Sequence, residues 1–166
     1  QFAEQNHALA SFLNSYFQTG LKNLIDLAII NRATKKELKP LTTRYEKIDE
    51  IPFDFSRRRM SVVLIDKDNK RQLITKGAVE EMLEISKFVE INGQVLELTD
   101  EYKKFAMATY EKYNKEGLRI IAVTQKNEVP KEHIFSVKDE SNMVLIGFIG
   151  FLDPPKKSAS IAIKKL

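Results

Sequence analysis

The sequence predicts an α+β domain: a mostly antiparallel, twisted sheet with helices packed on its faces. Three observations predict it. Apolar side chains recur at helical spacing in the first segment. The rhythm then changes to short β-branched runs that close on tight turns. Further helical patterns lie between those runs rather than apart from them, so the helices must flank the sheet.

Each element follows in order. Leu9, Phe12, Leu13, Tyr16 and Phe17 share one helical face. Gly20 interrupts a second helical stretch, whose buried stripe reads as Leu21, Leu24, Ile25 and Ala28. Asn31 to Pro40 is polar and basic and reads as a loop. Tyr45 to Phe53 is extended, and Pro52 argues for a sheet edge or a strand end. Met60 to Ile65 and Gln72 to Thr75 form a hairpin across the turn residues Asp66 to Lys70. Ala78 to Ile85 is a short helix. Phe88 to Leu98 holds a second hairpin around Asn92-Gly93, a pair suited to positive φ at both turn positions.

Thr99 is placed to cap a helix that turns Tyr102, Ala106, Tyr110 and Tyr113 to one side, and Gly117 ends it. Leu118 to Thr124 and Met143 to Leu152 are apolar almost throughout, which predicts central strands. Asp153-Pro154-Pro155 stops the last of these, since proline cannot continue a ladder. Ser158 to Leu166 reads as the start of another helix. There is no internal repeat and no low-complexity tract.

Composition bounds the function classes. The 166 residues suit one compact domain, and 43% apolar with 30% charged residues is a globular balance. The longest apolar run, Met143 to Leu152, is too short to span a bilayer, and the start lacks a basic-then-apolar leader. The chain therefore reads as a soluble piece without direct membrane contact. A net charge of +4 hints at an anionic partner but equally describes a solvated basic surface. With no cysteine there is no disulfide framework and no thiolate zinc site. His7 and His133 lack ligand spacing, so no metal site is expected.

Motifs narrow the field further. No P-loop, no G-x-G-x-x-G, no nucleophile elbow and no H-E-x-x-H is present, and no catalytic residue is nominated. Lys76-Gly77-Ala78 falls at a strand-to-helix junction, where a mobile cation, a glycine and free helix N–H groups would suit a phosphorylated ligand. Taken alone, the tripeptide is also an exposed lysine at an ordinary turn. Phe53 to Arg59 interleaves Phe53 and Phe55 with three arginines, a pattern able to stack a base and neutralise phosphates. Spacing does not rank the two phenylalanines. Arg119 interrupts an apolar strand and is either an edge-face arginine or a functional one. Phe151 to Lys156 ends a strand in two prolines, a stiff exit suited to a hinge.

In order and rough spacing, these four pieces resemble the nucleotide-binding domain of P-type cation-transporting ATPases. That family carries an aromatic after a proline, a K-G-A tripeptide, a G-L-R strand and D-P-P followed by a basic residue. Asn14 to Leu21 also resembles its first nucleotide-contacting region. The stretch Lys47 to Val63 looks most like the bacterial magnesium-transporting branch.

The resemblance implies a nucleotide-binding domain over residues 1–152, with 153–166 as a hinge and the start of the return to a phosphorylation domain. It implies that Phe53 stacks on adenine, and that Phe55 serves stability more than binding. Lys76 would line the base and reach toward the phosphates, with Gly77 giving clearance. Arg58 and Arg119 would contact the nucleotide, Arg119 near the phosphates. Gln18 stands where most relatives carry glutamate; its amide can still hydrogen-bond the adenine amino group. The D-K-T-G-T motif that holds the family's phosphorylated aspartate is absent.

ATP, as Mg-ATP in a full-length parent, is the implied ligand. The parent's phosphorylation and actuator domains are the implied partners, and the implied location is the cytoplasmic side of a cell membrane. Such a fragment should hold ATP without hydrolysing it. The rival reading is a nucleic-acid-binding module built on Phe53 to Arg59, or a structural domain with a basic face; neither accounts for the K-G-A and D-P-P matches.

Overall fold

A computed structural model describes residues 2–19, 24–35, 39–127, 129–130, 134–152 and 161–164. Its helices are α1 (Phe2–Phe17), α2 (Leu24–Lys35), α3 (Val79–Ile85) and α4 (Asp100–Lys115). Its strands are β1 (Tyr45–Asp54), β2 (Arg59–Asp66), β3 (Arg71–Gly77), β4 (Ser86–Ile91), β5 (Gln94–Glu97), β6 (Leu118–Asn127), β7 (Met143–Leu152) and β8 (Ile161–Lys164).

The strands form one sheet in the order β1-β2-β3-β6-β7-β4-β5. Every pairing is antiparallel except β4 with β7. The apolar strands β6 and β7 are central, as their composition requires, because only strands covered on both faces can be apolar throughout. Beyond β6, the other side of β7 is shared: β4 pairs with Met143 to Leu145 and β8 with Phe148 to Phe151. Residues 161–164 are therefore a strand, not the start of a helix. Ile161 and Ile163 in that segment suit a ladder as well as a helix, and the vacant half of β7 decides between them.

The period-two alternation builds a core on each face. Met60, Val62, Leu64, Ile74 and Val123 meet Phe12 and Leu13 of α1 and Ile29 of α2. Ile120, Ala122, Leu145 and Phe148 meet α3 and α4 through Met82, Leu83 and Ala106. Leu145 and Phe148 are three apart yet share a face, because the β6–β7 register skips Ile146 in a bulge.

The turns obey their local chemistry. Asn92 and Gly93 both have positive φ, 51° and 80°. Thr99 Oγ1 accepts the Tyr102 N–H and caps α4. Pro52 sits where the register of edge strand β1 slips between Ile51 and Asp54, a place that needs no ladder donor.

Two helical expectations change. α2 starts at Leu24, and Leu21 lies outside the described residues. Among its described side chains Asp26 and Ile29 are buried, while Ile25 and Ala28 are half-buried. The helix also runs on through Asn31 to Lys35, which the polar composition suggested was loop; a helix can continue into a polar run without an apolar stripe.

Phe12 is fully buried in the α1–sheet core, whereas Phe105 on α4 is 59% exposed. Phe12→Ala should therefore cost about 3–5 kcal/mol of unfolding free energy. Phe105→Ala should stay within about 0.5 kcal/mol of the parent. Urea denaturation of the two variants checks both.

Candidate functional site

The ends of α1, β1, β2, β3, β6 and β7 surround a cavity of about 570 Å3. Gln18, Phe53, Arg58, Lys76, Gly77 and Arg119 all line it. Positions 101 apart in sequence converge because β3 and β6 are neighbours and the β1–β2 hairpin folds over their ends. Asp26 and Asn114 also line the cavity and were not singled out in the sequence, and Phe55 and Tyr110, read there in other roles, line it too.

The inner end is built around Lys76, next to last in β3 and only 7% exposed. Its Nζ pairs with Asp26 Oδ1 on α2 and donates to Ser15 Oγ and Gln18 Oε1, each at 3.1 Å. Ser15 Oγ in turn donates to Asp26 Oδ1 at 3.0 Å. Lys76 is thus a held cation rather than the mobile one expected of a turn lysine. Asp26 carried a signal that the apolar periodicity hid: a lone carboxylate in the run Leu24-Ile25-Asp26-Leu27-Ala28 has to find a cation if that face is buried.

Gly77 and Ala78 also serve differently from the expectation. A Cβ on Gly77 would lie 2.5 Å from the Arg58 carbonyl oxygen and 2.7 Å from Arg59 Cβ. The missing side chain makes room for β2. Ala78 N–H is taken by the Arg58 carbonyl at 3.1 Å. Glu80 and Glu81 fill the first turn of α3, which has seven residues. Those carboxylates meet the positive helix end that an anion would otherwise use.

The β1–β2 turn forms the outer wall. Phe53 is 52% exposed and Phe55 90%, their rings edge-to-face with centroids 5.4 Å apart. Neither is a core residue, so the expectation that Phe55 serves stability does not hold. A side chain this exposed has almost no burial to lose.

Asp54 ties the turn together. It accepts from Ser56 Oγ at 2.6 Å and from the Ser56 and Arg57 backbone N–H groups and Arg57 Nε. The Ser56 hydroxyl, then the Arg57 amide, hold its carboxyl well below the usual carboxylate range. Arg58 takes φ 52°, a left-handed conformation uncommon for a side-chain-bearing residue.

One buried carboxylate anchors this turn to the sheet. Glu140, 2% exposed, accepts from Arg57 Nη1 at 2.7 Å, Arg59 Nε at 2.6 Å and Ser61 Oγ at 2.8 Å. Two of the three clustered arginines are therefore structural. Arg58 is more exposed and lies 3.3 Å from Glu81. Arg119 lies over the Phe151 ring at 5.8 Å, on the exposed side of β6.

Gln18 sits just past α1. Its N–H donates to the Asn14 carbonyl at 3.2 Å. The next residue, Thr19, donates through Oγ1 to Glu50 at 2.5 Å and through its N–H at 3.2 Å. Burial alone would raise the Glu50 carboxyl; hydrogen bonds from Lys47 and Thr19 outweigh it and hold it below its ordinary value.

The Asp153 to Lys156 segment and His133 lie outside the described residues. Among the described residues, no group of three metal-ligating side chains is gathered, and no helix is long and apolar enough to cross a membrane.

Residues 12–158 match the family model described as P-type ATPase, cytoplasmic domain N. The chain is 41% identical over 157 residues, 95% of its length, to the magnesium-transporting ATPase, P-type 1, of Escherichia coli K12. It is 42% identical over 156 residues, 94% of its length, to the protein of that name from Salmonella typhimurium. A calcium-transporting ATPase of Bacillus subtilis is 30% identical over 123 residues, 74% of this chain. The chain spans only 18% of the length of the Escherichia coli relative, 17% of the Salmonella one and 14% of the Bacillus one.

Two outcomes follow from this geometry. Glu140→Ala strands two arginines beside an empty pocket and should cost about 3–5 kcal/mol, as breaking a buried pair does; guanidinium denaturation measures it. Asp54 and Glu50 both have lowered carboxyl pKa values when folded. Their stabilisation is complete above the ordinary carboxylate range, near about pH 4, and drains as pH falls below it toward the depressed folded values. A melting temperature that falls between about pH 4 and pH 2, and falls less in Asp54→Asn, is the expected result.

Proposed function

The chain belongs to the family of P-type ATPase cytoplasmic N domains, and from that premise we propose that its cavity binds ATP. The observation that carries the proposal is convergence: the residues to which the resemblance gives nucleotide roles, from Gln18 to Arg119, line one cavity of about 570 Å3. Phe53 stands half-exposed at its mouth, where a base can stack on the ring. Lys76 stands at the inner end beside Gln18, with its charge held by Asp26. Arg58 and Arg119 stand at the exposed end, where phosphates would leave the cavity toward a second domain.

In this reading the domain holds ATP, as Mg-ATP in a full-length parent, for transfer of the γ-phosphoryl group to an aspartate elsewhere in that parent. The chain has no D-K-T-G-T motif of its own to accept it. The relatives named for magnesium transport favour a magnesium-moving parent. Such a parent places this domain on the cytoplasmic face of a cell membrane, with phosphorylation and actuator domains as its partners and residues 153–166 as the hinge. A nucleic-acid module built on Phe53 to Arg59 is disfavoured by the arginines themselves: Arg57 and Arg59 are spent on Glu140, which leaves Arg58 alone of the three to meet a phosphate backbone.

Calorimetric titration with ATP tests the reading. Phe53→Ala should weaken ATP about five- to a hundredfold, the range for one aromatic stack on a base. Its melting temperature should stay near the parent's. Phe55→Ala should also weaken ATP, by a smaller factor, without loss of stability. ATP bound equally well by both variants would remove the base from this wall of the cavity. Steady hydrolysis of ATP by the pure chain would contradict a purely holding role.

A further inference from the structure

Phe53 carries the proposed stack, yet neither the ladder nor the core fixes it. It lies on the edge strand β1 and is half-exposed. The β1–β2 register pairs Ile51 with Ser61 and Asp54 with Arg59, so Pro52 and Phe53 together face the single residue Met60. Such a bulge leaves its extra residue without a ladder partner. Something else has to set the direction in which the Phe53 side chain leaves the backbone.

Arg57 supplies it. Its guanidinium commits each of its three nitrogens to a different oxygen. Nη2 donates to the Pro52 carbonyl at 2.7 Å, Nε to Asp54 Oδ2 at 3.0 Å and Nη1 to Glu140 Oε2 at 2.7 Å. Pro52 and Asp54 are the two chain neighbours of Phe53. One planar group thus grips the residues on both sides of Phe53 and ties them to a carboxylate 83 positions away that is 2% exposed. Arg57 itself does not line the cavity.

We infer that Arg57 is a positioning residue: through Pro52 and Asp54 it holds the Phe53 ring at the cavity mouth in the orientation that receives the base. This deepens the ATP reading and rests on it. A ring held ready loses less freedom when a ligand stacks on it, and the difference appears as affinity. The shape of the guanidinium matters as much as its charge. A lysine can keep an ion pair with Glu140, but an ammonium at a single point does not reach three acceptors spread around a planar fork.

Two readouts on the whole chain test this. The chain has no tryptophan, so Phe53→Trp places a single indole at the mouth. Adding Arg57→Lys should lower the fluorescence anisotropy of that indole and open it to acrylamide quenching, as release to faster motion would. ATP calorimetry is the second readout. Arg57→Lys should weaken ATP about fivefold, part of what losing the stack costs. In a Phe53→Ala background the same change should weaken it by less than about twofold, because the ring through which Arg57 acts is gone. A merely structural arginine would lower stability without that non-additivity. Arg59 and Ser61 still serve Glu140 in the variant, so it should fold, and thermal melts check it. Arg57→Gln, which lacks the charge as well as the fork, should give the same pattern. Equal weakening in both backgrounds overturns the inference, and so does an indole whose anisotropy and quenching stay unchanged. If the parent chain binds no ATP, the proposed function fails instead, and the indole still decides whether Arg57 holds position 53.

Discussion

A lysine ammonium buried at the end of a sheet strand must have a carboxylate beside it, and the seating of α1 and α2 answers that demand. An unpaired buried charge costs several kcal/mol, more than any one apolar contact returns. Lys76 brings this requirement to β3, and Asp26 of α2 meets it. The consequence reaches further than the pair. The α2 run from Leu24 to Ile30 is apolar apart from Asp26, so hydrophobicity alone scarcely chooses which side faces inward. The carboxylate chooses. Asp26 and Ile29 turn in, and Leu27 is left 46% exposed. Ser15 and Gln18 then set the end of α1 against the same cation.

Glu140 does the same at the outer wall. It lies just before β7 and takes arginines from both sides of the β1–β2 turn, with Ser61 completing its shell. Ser61 Oγ also lies 2.6 Å from Thr75 Oγ1, one residue before Lys76. The two buried carboxylates therefore bear on neighbouring positions of β3 from opposite sides. Between these fixed ends, what faces solvent is soft: Phe53 and Phe55 touch chiefly each other, and Arg58 makes only a surface ion pair. Rigid walls with an adaptable mouth suit a site that must admit and release its ligand.

Local chemistry was legible in the sequence; long-range electrostatics was not. Asn92-Gly93, Thr99 and Gly117 each act within a few residues, and each does what its type predicts. The apolar runs of β6 and β7 announced central strands for the same reason. The inward face of α2 and the conformation of residues 161–164 were misread because each depends on a partner distant in sequence: Lys76 for one, the unfilled half of β7 for the other.

The candidate site shows the same split. The six positions named from the resemblance do meet in one cavity, but the residues that hold them there, Asp26, Ser15, Glu50 and Glu140, left no periodic trace. Gly77 is the subtlest case. It lies beside the cavity, and the structure gives it a further reason, the close approach of β2, which in sequence looks like a glycine that admits a ligand.

The pairing energies also assign the two ends of the cavity. A ligand anion can recruit a cation only by displacing that cation's present partner. Taking Lys76 from Asp26 would leave a fully buried carboxylate uncompensated, at a cost of about 3–5 kcal/mol, and taking Arg57 or Arg59 from Glu140 would strip another buried carboxylate of one of its two cations. Arg58 is bound only by an exposed pair with Glu81 at 3.3 Å, the kind worth about 0–1 kcal/mol and readily given up. Arg119, on the exposed side of β6 over the Phe151 ring, keeps its guanidinium edge near solvent. Negative charge is thus drawn to the Arg58–Arg119 side, and a neutral, hydrogen-bonding ring system is what the Lys76–Gln18 end can accept without breaking anything. The polarity of the site follows from which of its ion pairs are buried, before any ligand is considered.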